Sequence, residues 1–147
     1  MNRVEATELI LEAKKEQGLT WTELAEKVGM SDVWTTAALL GQIHMNEDEA
    51  AKATEALDLG PEVAEALQNY PMRGGLDPLV PTDPLVYRFY EIMQVYGVPM
   101  KHLIHEEFGD GIMSAIDLTV EVEREEDPDG DRVRITYSGK FLPYKKW

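Results

Sequence analysis

Apolar residues in the first 70 positions recur at helical spacing, in short blocks stopped by glycine and restarted by hydroxyl or amide residues. The pattern predicts a first helix over residues 3–17, with Val4, Leu9, Ile10 and Leu11 apolar and Gly18 as its stop. Thr20 and Glu23 have capping-box spacing: the hydroxyl accepts a free backbone N–H, and the carboxylate reaches back to the cap residue. That opens a second helix, ending at Gly29. Ser31 caps a third that runs to Gly41, and Asn46 with Glu49 opens a fourth. Gly60-Pro61 then separates the fourth helix from a fifth, with Pro61 in the favoured first turn.

The pattern changes after residue 70. Residues 71–84, PMRGGLDPLVPTDP, carry four prolines and two glycines and read as a domain boundary or a long ordered loop. Asp83-Pro84 is a helix start, and the helix it opens ends at Gly97. Val98-Pro99 opens another, ending near Gly109. From Ile112 to Val122 the period falls to two. Ile112, Ser114, Ile116, Leu118, Val120 and Val122 share one side, which predicts a strand with one buried face. Asp127-Pro128-Asp129-Gly130 is turn chemistry, and Arg132–Ser138 reads as the returning strand. The tail FLPYKKW is apolar and aromatic enough to need cover. The fold class is therefore α+β: a helical bundle over 1–70, a connecting loop over 71–84, and a domain of helices plus a β-hairpin over 85–147. A two-stranded hairpin is marginal alone and a unit of this size builds little core. Both facts predict that the hairpin interlocks with a second subunit.

Charge narrows the function. The formal net charge is −14. Residues 1–70 hold five Lys/Arg against fourteen Asp/Glu, and residues 71–147 nine against fourteen, so neither half is built for a polyanion. Helices two and three nevertheless have helix-turn-helix rhythm, resembling a λ-repressor-like domain, and a DNA-binding regulator is the rival reading. Ser31 to Gly41 contains Asp32 and no basic residue, where a recognition helix needs Arg, Lys, Asn or Gln facing outward. The expectation is a bundle that does not bind nucleic acid. The absence of cysteine fits a reducing cytoplasm, and no apolar run approaches the roughly 20 residues of a membrane span. The amino terminus shows helical periodicity, not the apolar centre and cleavage site of a signal peptide.

Two segments carry candidate chemistry. In PTDPLVYRFYEIMQVYG, Arg88 and Glu91 are three apart and share a helix face. They form either a surface ion pair worth roughly 0.3–0.5 kcal/mol or a charged pair at an interface, given the Tyr87, Phe89, Tyr90, Ile92 and Met93 around them. In HEEFGDGIMSAIDL, Ser114 is the lone hydroxyl on the apolar strand face, as a core serine or as a donor facing an anion. His102 and His105 are spaced as a ligand pair and His44 is a third histidine. No third ligand is marked by spacing, so no metal site is expected. The acidic run 121–131 does not fit an EF-hand loop.

These two segments resemble the two signature regions of the cyanase family. VWTTAALLGQ, Arg73-Gly74 and the ending Ser138-Gly139-Lys140-Phe141-Leu142-Pro143 resemble their counterparts in the same order. The resemblance implies a cytoplasmic lyase without a cofactor, with cyanate and bicarbonate as small-anion substrates. It implies Arg88, Glu91 and Ser114 as catalytic residues, and dimers assembled into a decamer with sites between dimers. Two monoanions in contact repel by several kcal/mol in a partly dry site. On this reading Arg88 holds the anions, Ser114 and the Ala115 N–H bond their oxygens, and Glu91 orients Arg88. A catalytically inactive assembly protein is the third reading.

Overall fold

The computed structural model describes residues 1–74 and 79–147; residues 75–78, in the middle of the expected connecting loop, lie outside the described residues. The chain forms two compact units. One is Met1–Gly74 with Glu121–Arg134, and the other the described residues up to Val120 with Ile135–Trp147.

The first unit contains five helices: α1 (Arg3–Gln17), α2 (Trp21–Val28), α3 (Asp32–Leu39), α4 (Glu47–Leu57) and α5 (Pro61–Gln68). Their ends are set by local hydrogen bonds. Capping boxes start α2 at Thr20 with Glu23 and α4 at Asn46 with Glu49, and a third starts α1 at Asn2 with Glu5. The backbone and hydroxyl hydrogen bonds of Thr20 hold the Glu23 carboxyl below its ordinary pKa. Ser31 accepts from the Trp34 N–H to start α3, and Pro61 opens α5. Gly18 and Gly29 end α1 and α2 in left-handed conformations that favour glycine.

Ile10, Leu24, Leu39, Met45, Leu57, Val63 and Leu67 fill the core of this unit. On α1 the buried face is Ala6, Ile10 and Ala13, whereas Val4 and Leu11 are exposed. Half of the apolar residues marking this helix in the sequence therefore do not pack.

Arg3 ties the bundle together. Its Nη2 donates to the carbonyls of Ala38 (2.6 Å) and Ile43 (3.3 Å), and its Nη1 to that of Ala66 (3.3 Å). Ala38 and Ala66 lie in the last turns of α3 and α5, where their carbonyls each accept one further N–H from just past the helix (Gly41, 3.1 Å; Asn69, 3.3 Å) and the helix dipole favours a cation. Burial pushes the guanidinium pKa down from its ordinary value. Arg3→Ala is expected to cost about 2 kcal/mol, since it removes three charge-assisted hydrogen bonds, although the Ala38 and Ala66 carbonyls keep the N–H groups of Gly41 and Asn69. Thermal unfolding with a Tm equal to that of the parent would show that these bonds are replaced by water at no cost.

The second unit holds α6 (Pro84–Phe108) and most of a two-stranded hairpin of β1 (Gly111–Glu125) and β2 (Arg132–Pro143). The two helices expected over 84–97 and 98–109 are one. Pro99 is inside α6. It lacks an N–H, so one backbone hydrogen bond is lost, but the helix continues on both sides of it. No residue of α6 is buried in the single chain, and Leu85, Val95, Tyr96, Val98 and Leu103 are exposed.

The hairpin turn is as expected: the Gly130 N–H donates to Asp127 O (3.0 Å) and the Asp129 N–H to the Asp127 side chain (2.9 Å). Both strands run further than the alternation indicates, β2 passing through Gly139 to Pro143. The expected buried face is not buried in the chain. Of its six residues only Ser114 is buried; Leu118 and Val120 are half-buried, and Ile116 is 97% exposed. A two-stranded ribbon has no layer of its own to cover a face.

Candidate active site

Arg88 and Glu91 owe their placement to the start of α6. The Asp83 side chain accepts the N–H groups of Leu85 and Val86 (2.9 Å each), and Pro84 occupies the first turn. This fixes the helix so that residues 88 and 91 stand on one face. Arg88 Nη1 donates to Glu91 Oε2 at 2.6 Å. The guanidinium also lies 5.7 Å from the centroid of the Tyr87 ring, which in turn is 6.0 Å from that of Tyr90. The Arg88 and Glu91 side chains are 60% and 43% exposed in the single chain. Among the described residues Glu91 is the sole hydrogen-bond partner of Arg88, so the other N–H donors of the fork are available to a ligand.

Ser114 stands in a different setting. It is 5% exposed, on β1. Its Oγ accepts from the backbone N–H groups of Ile116 (3.1 Å) and Asp117 (2.9 Å). Two successive amides thus bond a side chain of their own strand, and the regular burial alternation of β1 breaks there. A hydroxyl has two acceptor lone pairs and one proton. With both lone pairs used by amides, Ser114 can only donate to anything else. Ala115 follows it and is exposed.

The end of α6 is joined to the hairpin through several contacts. The Gly109 N–H donates to His105 O (2.9 Å), and the Tyr144 N–H to Asp110 O (3.2 Å). His105 Nε2 is 3.3 Å from Gly111 O, and the Phe108 and Phe141 rings stack with centroids 5.2 Å apart. Within one chain the described hydrogen bonds bring Arg88 and Glu91 together but do not link either to Ser114. The histidines take separate roles: His44 packs edge-on against Tyr70 (4.9 Å), and His105 faces Gly111. Among the described residues no three His, Asp or Glu side chains are grouped to hold a metal ion. Among the described residues no helix is long and apolar enough to cross a membrane.

Two residues near Ser114 were not singled out as site residues from sequence. Gly139 and Gly111 both face close backbone approaches across the hairpin. The signal was present, since a glycine within a strand marks a bulge or a close neighbour. It was masked because Gly139 reads equally well as the end of the strand.

Comparison with known proteins places these features. Residues 3–71 match the family model described as cyanate hydratase, N-terminal, and residues 78–146 match that of the cyanate lyase C-terminal domain. The chain belongs to the cyanate hydratase family. Cyanate hydratases of Dechloromonas aromatica and Prochlorococcus marinus are 58% and 54% identical to it, each over the full length of both chains. A crystal structure of cyanase from T. urticae superposes with a TM-score of 0.86 at 40% identity, covering 94% of this chain and 96% of that one. Membership makes the chain an enzyme of the carbon–nitrogen lyase class. The α+β fold expected from the sequence agrees with that of the cyanase structure.

Proposed function

We propose that this chain decomposes cyanate with bicarbonate as co-substrate, using Arg88, Glu91 and Ser114. The observation that carries the reading is the Arg88 fork: one donor is anchored on Glu91 at 2.6 Å and the others remain available. A guanidinium held in this way offers fixed charge and paired donors to a planar anion. A bicarbonate oxygen attacks the cyanate carbon. The adduct takes up one proton at nitrogen, the hydrogen originally on bicarbonate passes to the same nitrogen, and carbon dioxide is lost by C–O cleavage, leaving carbamate. Carbamate then takes a second proton and separates into ammonia and carbon dioxide. Arg88 draws the two anions together, Ser114 and the Ala115 N–H bind anionic oxygen, and Glu91 orients the guanidinium. The gain comes from holding two repelling ions in contact and stabilising charge as it moves. Ser114 is a poor candidate nucleophile, because its lone pairs already accept two amides.

The reading includes assembly. The unburied apolar surface of α6 and the uncovered hairpin support a homo-oligomer of interlocked dimers, five of which form a decamer, with Ser114 of one chain completing the site of Arg88 and Glu91 in another. It requires no cofactor or metal, no nucleic acid and no membrane, and the cysteine-free chain suits the cytoplasm.

The test is ammonia release from cyanate by the assembled protein. Turnover is expected to depend on added bicarbonate and to persist after chelation. Equal rates without bicarbonate in degassed buffer, or activity lost to chelator and restored by a metal, would each reject the scheme.

A further inference from the structure

Gly139 lies on β2 across from Ser114, and the gap between them is too small for any side chain. A Cβ at position 139 would stand 2.6 Å from the Ser114 carbonyl oxygen, 2.6 Å from Met113 Cγ and 3.3 Å from Leu118 Cδ1. Non-bonded carbons prefer roughly 3.5–4.0 Å, so the first two approaches force a shift. Met113 is a flexible side chain that can move aside. The Ser114 carbonyl is backbone, and it moves only if the strand moves.

The close approach occurs where β1 is irregular. β1 has 15 residues against 12 in β2. An excess on one strand is absorbed by a bulge, and the hydrogen bonds from the Ile116 and Asp117 amides to the Ser114 hydroxyl locate it. Three residues earlier, Gly111 faces the Leu142 carbonyl and the Phe141 ring at similarly close range. The two glycines thus let the strands draw together at both ends of the segment that leads into the bulge.

We propose that Gly139 is a positioning residue for Ser114: having no side chain, it admits the bulged β1 backbone that saturates the Ser114 lone pairs and leaves its hydroxyl as a pure donor to substrate anions. A pure donor bonds most strongly to an anionic acceptor atom and cannot accept a ligand O–H or N–H, which favours the charged oxygens of bicarbonate or cyanate over a protonated edge that must donate. The proposal rests on the reading of Ser114 as an anion ligand.

The experiment compares Gly139→Ala, Ser114→Ala and the double variant as full-length assembled proteins, with Gly130→Ala as a control. Gly130 has φ 127° in the distant turn, so alanine there strains the hairpin without touching Ser114. Gly139→Ala is expected to lower kcat/KM for cyanate by about 100-fold, the loss typical of a catalytic group displaced by an ångström. Deuterium uptake across residues 113–118 should rise with it. Gly130→Ala should lower Tm and leave kcat unchanged. In the Ser114→Ala background, Gly139→Ala should change activity by less than about twofold, because residues acting through one another are not additive.

Losses that multiply in the double variant overturn the positioning role, as does a fully active Gly139→Ala beside an impaired Ser114→Ala; neither result touches the role of Ser114. A fully active Ser114→Ala overturns the anion-ligand reading, and the proposal with it. If Gly139→Ala does not assemble, Met113→Ala with Gly139→Ala removes the side-chain clash and keeps the one with the Ser114 carbonyl. Activity equal to that of Met113→Ala alone would then refute the role of Gly139.

Discussion

Arg88→Ala is expected to lower kcat/KM for cyanate by roughly 10²–10³-fold, the range found when one preorganised donor to a reacting anion is removed. The same change should barely alter stability. Arg88 and Glu91 are both substantially exposed in the single chain, and an exposed pair at this spacing contributes at most about 0.5 kcal/mol. The two effects therefore separate: thermal unfolding reads the ion pair, and steady-state kinetics read the anion site. Arg88→Lys should recover only part of the loss. An ammonium supplies the charge but not a planar fork able to hold Glu91 with one arm and an anion with another. Unchanged kinetics in Arg88→Ala would leave only the surface ion pair and remove the basis of the proposed mechanism.

Leu103→Asp is expected to dissociate the assembly and abolish turnover together. Leu103 lies on α6 and is 65% exposed in the chain, on a helix with no buried residue. If that surface is covered by a second copy, the substitution places an unpaired carboxylate in an interface, at a cost of about 3–5 kcal/mol per site. Leu103 is not among the residues assigned to the site, so inactivity in its variant would come from separating chains that share one. Sedimentation velocity gives the oligomeric state, and far-ultraviolet circular dichroism shows whether α6 survives. A dissociated but fully active variant would establish that one chain carries the whole site. A variant with unchanged assembly would show that this part of α6 is not an interface.

The long helix and the hairpin show where local reading reaches its limit. Gly97 and Pro99 carry genuine stop and start signals, yet α6 passes through both. One missing N–H costs a single hydrogen bond, and a helix that continues on both sides of it, with 15 residues before Pro99 and 9 after, absorbs it. Gly139 and Pro143 likewise read as strand breakers, although β2 includes them. Pairing with β1 supplies the hydrogen bonds, and at Gly139 the missing side chain is what the pairing requires.

What the amino-acid sequence determined by itself is whatever depends on neighbours within four residues. Thr20 with Glu23, Asn46 with Glu49, Ser31, Gly18, Gly29 and Pro61 each act on their own helix end, and each does so in the structure. The Arg88–Glu91 pair is legible for the same reason, since three residues on a helix place side chains side by side. The tertiary structure decided what depends on distant chain. Arg3 meets carbonyls 35, 40 and 63 residues away, and no local pattern marks it. Ser114 owes its burial and its donor-only character to a bulge closed against Gly139, because the geometry of a strand is set by the strand beside it and not by its own side chains.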